Sequence, residues 1–350
     1  MCLWIAVFIS IIGISVVMQA SCYLTKIQAA CFGIPLQIYS RGYQNYSLSM
    51  QTLSENKQKF WLRIIVLTYN RDKSLQKCLN SLSLANYSKD RVQLDIWIDR
   101  SKSGLIHDGV FKIASNFPWK FGYKSVHNHS QHVGIYGQWL DTWHPERTGS
   151  SEVPLFLEDD MIVSPYFYEW LKSMHKAYSS RKDVSGFSLQ SKIIIMGGPK
   201  AQQMLSIPKK HLIYMYKVFG SWGFSPLPHV WRQFHTWYHT VKTDSTFKPY
   251  VPGILPTYWY KSFEKKNRQD TMWSMWFLYY THSKNLFCIF PNFKDHLSIN
   301  REVAGLHYGN DRHVRETGLI TFPKKPFEFP TEPIKINYDG VKLMKKDKYT

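Results

Sequence analysis

The sequence predicts an α/β protein with a mostly parallel central sheet flanked by helices, preceded by an N-terminal membrane segment and a stem. Three observations predict it. The run Arg63–Thr68 (RIIVLT) is short, apolar and β-branched, as a strand buried on both faces should be. A segment of helical periodicity follows, then a second apolar run at Val92–Ile98 (VQLDIWI), which together read as a βαβ unit. A third run, Val153–Leu157 (VPLFL), ends in three consecutive carboxylates, Glu158, Asp159 and Asp160.

In chain order, Leu3–Met18 is a run of 16 residues without a charge. Its length lies between a signal-peptide core and a spanning helix, and extension to Leu24 reaches spanning length. An uncleaved type II anchor over 1–24 is the preferred reading; a signal cut near Ala20 and Ser21 is the alternative. No Lys or Arg precedes the run and Lys26 follows it, so loop charge gives no support to a cytosolic N-terminus. Provided the N-terminus stays in the cytosol, both readings send the rest of the chain into the secretory pathway, where the sequons at Asn45, Asn86 and Asn128 fit. Residues 25–60 are poor in charge and rich in Gln, Ser, Tyr and Asn, and read as a stem. The folded domain spans 61–322, and 323–350 form a basic tail.

The 44 Lys and Arg against 25 Asp and Glu give a net charge of +19, and aromatic residues make up 16%. Residues 1–60 and the tail each carry +3, leaving +13 spread over the domain without a long basic block. Nucleic-acid arms are usually runs of like charge, and neither zinc-finger spacing nor an RNP-like aromatic motif is present. A cleft that attracts a nucleotide diphosphate suits the distribution better than a nucleic acid does. Of the five cysteines, Cys31, Cys78 and Cys288 lie beyond the apolar segment, so at most one intrachain disulfide joins them. His235 and His239 share a helix face in WRQFHTWYH without a third ligand, which reads as an aromatic helix packed in the core.

Within the domain, Tyr69-Asn70-Arg71 turns the chain after the first strand, and Asp72 is placed to cap a helix over Lys73–Leu84, with Leu75, Cys78, Leu79 and Leu82 on one face. Ligands of such sheets bind beyond the carboxyl ends of the strands, so Asn70, Arg71 and Asp99 project into the expected site. No GxGxxG follows the first strand and no GxxxxGK[ST] occurs, so the Rossmann dinucleotide and P-loop readings lose their main support. Three adjacent carboxylates at a strand's exit repel one another unless a cation sits among them. A hard divalent cation held by one or two carboxylates, with diphosphate oxygens completing its shell, fits that pattern. An aromatic helix, Tyr166–Met174, follows.

These segments carry a resemblance. RIIVLTYNRDKSLQKCLNSL at 63–82, FLEDDMIVSPYFYEWL at 156–171, FGSWGFSPLPHVW at 219–231 and, more weakly, NRQDTMWSMWF at 267–277 resemble nucleotide-sugar glycosyltransferases of the GT-A fold. The nearest group is that of N-acetylglucosaminyltransferase I and the related protein O-mannose enzyme, glycosyltransferase family 13; family-2 transferases share the first strand and helix. The resemblance implies a metal-dependent inverting transferase of the Golgi membrane, its catalytic domain lumenal. Such an enzyme moves a sugar from a UDP donor to a hydroxyl of a glycan or glycoprotein, and the resemblance hints at UDP-GlcNAc. It implies that Arg71 contacts the diphosphate, with Asn70 beside it. Asp99 meets the uridine, Glu158 and Asp159 the nucleoside, and Asp160 binds Mn²⁺ or another divalent cation.

Attack at an anomeric carbon also needs the acceptor hydroxyl deprotonated. Asp270, in Asp270-Thr-Met-Trp273, is the candidate base by the same resemblance; it also suits the N-cap of a helix Thr271–Tyr280. Glu264 is the runner-up. Trp222, in a turn with two glycines, reads either as a sugar-stacking ring or as core, and His307 as a possible contact to the diphosphate or metal. Two alternatives stay open: a lumenal glycan-binding protein that keeps the fold without catalysis, and a family-2-like transferase using another nucleotide sugar.

Overall fold

The computed structural model describes residues 62–145, 152–300, 318–321 and 329–344, all within the unit Lys59–Thr350. The apolar segment 3–18, the stem 25–60, Cys31, Asn45 and His307 lie outside the described residues. Among the described residues no helix is long and apolar enough to cross a membrane.

The first half is a run of β-then-α units: β1 (Leu62–Thr68), α1 (Asp72–Ser83), β2 (Val92–Ile98), α2 (Asp108–Asn116), β3 (Lys124–Asn128), α3 (Gly134–Leu140) and β4 (Val153–Glu158). The short β5 (Met161–Val163) and α4 (Phe167–Tyr178) come next. The second half holds β6 (Val184–Ser188), β7 (Ile213–Tyr216), β8 (Phe224–Pro226), α5 (Pro228–Val241), α6 (Leu255–Glu264), a 3₁₀ turn at Gln269–Thr271 and α7 (Ser274–Ser283). It closes with β9 (Phe287–Pro291), β10 (Ser298–Asn300) and β11 (Ile334–Ile336).

Nine strands form one sheet in the order β11-β7-β9-β6-β8-β4-β1-β2-β3; β10 and β5 pair separately. β3, β2, β1 and β4 are mutually parallel. β8 runs antiparallel to both β4 and β6 and joins this half to the other, where β6 and β9 are parallel and β7 runs against β9. The α/β architecture with a mostly parallel sheet is therefore as expected.

The apolar runs became strands because both of their faces are covered: Ile64, Ile65, Val66, Leu94, Ile96, Leu155 and Leu157 have no exposed surface. On α1 the stripe Leu75, Cys78, Leu79 and Leu82 is buried against the sheet, as its spacing predicts. The aromatic richness is spent in the core. Trp231, Phe234 and Phe277 pack around Phe156 and Phe224, with ring centroids 5.0–5.5 Å apart in their closest pairings. His235 lies buried in that packing, 5.2 Å from the Trp231 ring, as the aromatic-helix reading expects.

Several local expectations are corrected. Asp72 is the first residue of α1, not its cap; Arg71 holds the cap position without a side-chain bond to the helix. Asp270 does not cap a helix over 271–280. It sits in the 3₁₀ turn, and α7 starts three residues after that turn, at Ser274. Residues 334–336, read as tail, form β11 and pair in parallel with β7. Cys78 and Cys288 are both buried free thiols, so neither takes part in a disulfide. Asn86 and Asn128 are exposed.

Candidate functional site

The parallel register sets the site. Leu67 lies opposite Glu158 and Thr68 opposite Ile98, so β4, β1 and β2 end flush along one sheet edge. The residues after each strand emerge there: Asn70 and Arg71 after β1, Asp99 after β2, Asp159 and Asp160 after β4. Sequence reasoning placed all of these together, and the topology brings them together.

The three carboxylates are not equivalent. Asp159 is 1% exposed and turns inward. Its Oδ2 accepts from Thr68 Oγ1 at 2.7 Å, Arg71 meets Oδ1, and Ser74 Oγ on α1 donates to its carbonyl at 3.0 Å. Burial pushes its carboxyl up to about 6, with the Arg71 guanidinium pulling the other way. Glu158 is half-buried; Trp139 Nε1 donates to its Oε1 at 3.2 Å. Burial and then the neighbouring Asp160 push it up to about 7. Asp160 accepts from Arg71 Nη1 through Oδ2 at 3.1 Å, while its Oδ1 is buried without a hydrogen-bond partner.

Arg71 thus spans two carboxylates with its planar fork, a geometry Lys cannot reproduce. Asp159, expected against a nucleoside, is committed to Thr68 and Arg71 and holds the β1 and β4 ends together. Thr68, Ser74 and Trp139 were missed by sequence reading. Each acts on a residue more than 18 positions away, and only the fold reveals that reach.

Asp99 is also committed. It is 3% exposed, and three backbone N–H groups donate to it. Oδ1 accepts from the amides of Arg100 at 2.8 Å and Val133 at 2.9 Å. Oδ2 accepts from Gly134 N at 2.9 Å and faces His132 Nδ1 at 3.1 Å. Backbone amides fill three of the roughly four lone-pair sites of the carboxylate, and Asp99 anchors the start of α3. Asn70 is exposed at the same edge.

The 3₁₀ turn carrying Asp270 is tied to this region. Tyr136 on α3 donates to Gln269 O at 3.1 Å, and Trp273 stacks on Trp139 with centroids 4.4 Å apart. Asp270 itself is exposed. Glu264, the runner-up base, is held in a pair with Lys248 at 3.1 Å and accepts from the Tyr250 hydroxyl. Trp222 is half-buried against the core beside Gly223, whose φ of +75° makes the turn; a Cβ there would come within 2.8 Å of Leu189.

Among the described residues no group of three or more His, Cys, Asp or Glu is arranged to hold a metal ion. A hard cation bound through one carboxylate oxygen, with phosphate and water oxygens around it, needs no such cluster. The unpartnered Oδ1 of Asp160 fits that mode, and Arg71 beside it fits a phosphate.

No family model matches the chain, and no curated protein matches it. Solved structures do. S. aureus TarS 1-349, solved also with UDP and with UDP-GlcNAc, is 15% identical over 44% of this chain and 40% of its own at a TM-score of 0.30. The mannosyltransferase PcManGT from Pyrobaculum calidifontis, in complex with GDP-Man and Mn²⁺, is 15% identical over 47% and 45% at 0.30. S. aureus TarS is 12% identical over 67% and 37% at 0.33. The chain spans less than half the length of each of these matched chains. At such scores the likeness assigns no activity.

Proposed function

We propose that the chain is a GT-A-type nucleotide-sugar glycosyltransferase, using a divalent cation, that transfers GlcNAc from UDP-GlcNAc to a hydroxyl of a glycan or glycoprotein. The observation that carries the reading is the pairing of Arg71 with Asp160, whose second oxygen is buried and unbonded, at the flush carboxyl ends of parallel β1 and β4.

In this reading Asp160 Oδ1 holds the cation and Arg71 donates to diphosphate oxygens as the bond to the anomeric carbon breaks. The cation, when bound, neutralises charge on the leaving diphosphate. Asp159 keeps Arg71 aimed rather than touching the nucleoside, and Glu158, with Asn70, lines the donor side. Asp270, exposed on a turn fixed to α3, takes the proton from the acceptor hydroxyl as general base. Attack from the face opposite the diphosphate inverts the anomeric centre. The apolar segment would hold the enzyme in the Golgi membrane with this domain lumenal.

The test is a nucleotide-release screen with purified protein over UDP- and GDP-sugars, with Mn²⁺ or with EDTA. The reading expects UDP release from UDP-GlcNAc in Mn²⁺, and its loss in EDTA and in Asp160→Ala. Release from another nucleotide sugar alone would favour the family-2-like transferase. Sugar binding without release in any mixture would favour the glycan-binding protein.

A further inference from the structure

Helix α6 (LPTYWYKSFE) buries Pro256, Thr257 and Tyr260 and turns its other side to solvent. At about 100° per residue, Lys261, Lys265, Tyr258, Ser262 and Trp259 follow one another in that order across about 160° of arc. Lys266 continues the closing turn, its amide donating to Phe263 O at 3.0 Å. All six residues are exposed, Tyr258 by 62% and Trp259 by 39%. The one acid of the helix, Glu264, lies on the other side, paired with Lys248 and accepting from Tyr250. Lys261 rests over the Tyr250 ring at 4.5 Å, and among the described residues no acid pairs with Lys261, Lys265 or Lys266. Two exposed rings set among three uncompensated cations form a patch rather than a scatter.

The composition of the patch selects its occupant. Three ammonium groups without acids call for an anionic partner. Rings with an apolar face and a polar tip suit a ligand built the same way. A sugar is, with C–H groups on its face and hydroxyls around its rim. A lipid surface asks for a continuous apolar stripe, and the exposed arc holds no aliphatic residue. Single-stranded nucleic acid takes a charged groove lined by stacking rings, and α6 offers a convex face.

We propose that the outer face of α6 docks a glycan bearing acidic groups. Tyr258 and Trp259 stack on its sugar rings, and Lys261, Lys265 and Lys266 pair with its carboxylates or sulfates. The face lies outside the strand-end cluster and needs no transfer chemistry, so the inference stands or falls apart from the nucleotide-sugar reading.

Calorimetric titration of the full chain at near-physiological salt tests it. The probes are a uronate-containing and a sulfated hexasaccharide, each beside its neutral parent. Wild type should bind at least one acidic form about tenfold more tightly than its parent. Replacing Lys261, Lys265 and Lys266 together by Ala should remove that preference. A control triple on α1, α2 and the loop beyond, Lys77, Lys112 and Lys120 to Ala, should keep it. Trp259→Ala, at unchanged charge, should bind about fivefold more weakly. Equal binding of acidic and neutral forms overturns the inference, as do equal losses in the two triples or full binding by Trp259→Ala. A loss in the α6 triple seen with phosphatidylserine vesicles or oligo-dT, and not with the glycans, overturns it in favour of a membrane or a nucleic acid. Should an α6 variant fail to fold, amide exchange of wild type decides: slowing over residues 255–268 with the acidic hexasaccharide supports the site, and slowing only elsewhere sinks it.

Discussion

Arg71 donates to Asp160 at 3.1 Å through one arm of its guanidinium while the other arm meets Asp159. One cation therefore balances two successive buried carboxylates, and the cost of removing it differs from the cost of removing either acid. Removing one partner of a buried ionic cluster leaves the others uncompensated, typically at roughly 3 kcal/mol or more. Arg71→Ala should lower the unfolding free energy by that order, and the denaturant midpoint with it, in the absence of divalent cations. An unchanged midpoint would show that water already screens the two carboxylates.

Asp160→Ala differs. It removes a like charge beside Glu158 and an unpartnered oxygen at the cost of the Arg71 bond to Oδ2, while Arg71 keeps Asp159, so stability in chelator should fall by less than in Arg71→Ala. Transfer, in contrast, should fall by about 100-fold or more if the cation supplies several kcal/mol to the leaving diphosphate. Melting curves with and without Mn²⁺ separate the effects: wild type shifts upward with the ion and Asp160→Ala does not.

Asp99→Ala opens the start of α3. Three backbone N–H groups lose their acceptor, two of them amides at the helix entry. A cost of about 2 kcal/mol or more follows from the lost cap and the unpaired buried donors. Asp99→Asn, with one acceptor oxygen, should lose less. Amide hydrogen exchange over residues 132–140 is the direct measurement, and protection equal to wild type would contradict the anchoring role.

Two buried histidines set the acid limit. His175, whose Nε2 lies 2.8 Å from Ser225 Oγ, and His235 are both pushed down to about 3, chiefly by burial. A base whose folded pKa lies below its unfolded value near 6.5 stays neutral in the fold but takes a proton on unfolding. Their contribution is thus intact above about pH 6.5 and is lost as the pH falls from there toward 3, by about 1.4 kcal/mol per unit for each. Between pH 7 and 5 the raised carboxyls of Glu158 and Asp159 act in the opposite sense, so the His175 contribution is read as a difference: stability from urea melts should fall less steeply with acid in His175→Gln than in wild type, by up to about 1.4 kcal/mol per unit. A slope untouched by the substitution would remove His175 from the account.

Gly223→Ala tests the turn before β8. The residue sits at φ +75° with Leu189 within 2.8 Å of a new Cβ, so strain and overpacking both oppose it. A loss of about 1–2 kcal/mol is expected, read from the same urea melts.

Much of this was legible in the chain. The strands β1, β2 and β4 announce themselves because burial on both faces forces uninterrupted apolar runs, and α1 because one face alone is covered. The gathering of Arg71, Asp99 and Asp160 at one edge followed from the parallel-sheet rule. The division of labour among them did not. Asp99 and Asp159 read as ligand contacts in sequence, and the fold adds a second duty that the chain does not show: Asp99 holds Val133 and Gly134, and Asp159 holds Thr68 and Arg71. Nothing local marks His132, whose ring is oriented by a carbonyl 32 residues away. Asp270 failed as a helix cap because the chain makes a separate 3₁₀ turn before α7 begins.

The position of β11 bears on how the molecule is made. β7 is buried along its whole length, and its outer edge is covered by a strand from residues 334–336, more than a hundred residues downstream. Tyr178 donates to Pro330 O, and Arg181 pairs with Glu332 at 3.0 Å, so the same segment is clasped by α4 and the turn after it. During vectorial synthesis β7 therefore stands as an uncovered apolar edge until that late segment emerges, and uncovered edges are templates for wrong pairing. Quality control in the cell would meet this protein first as an unfinished sheet.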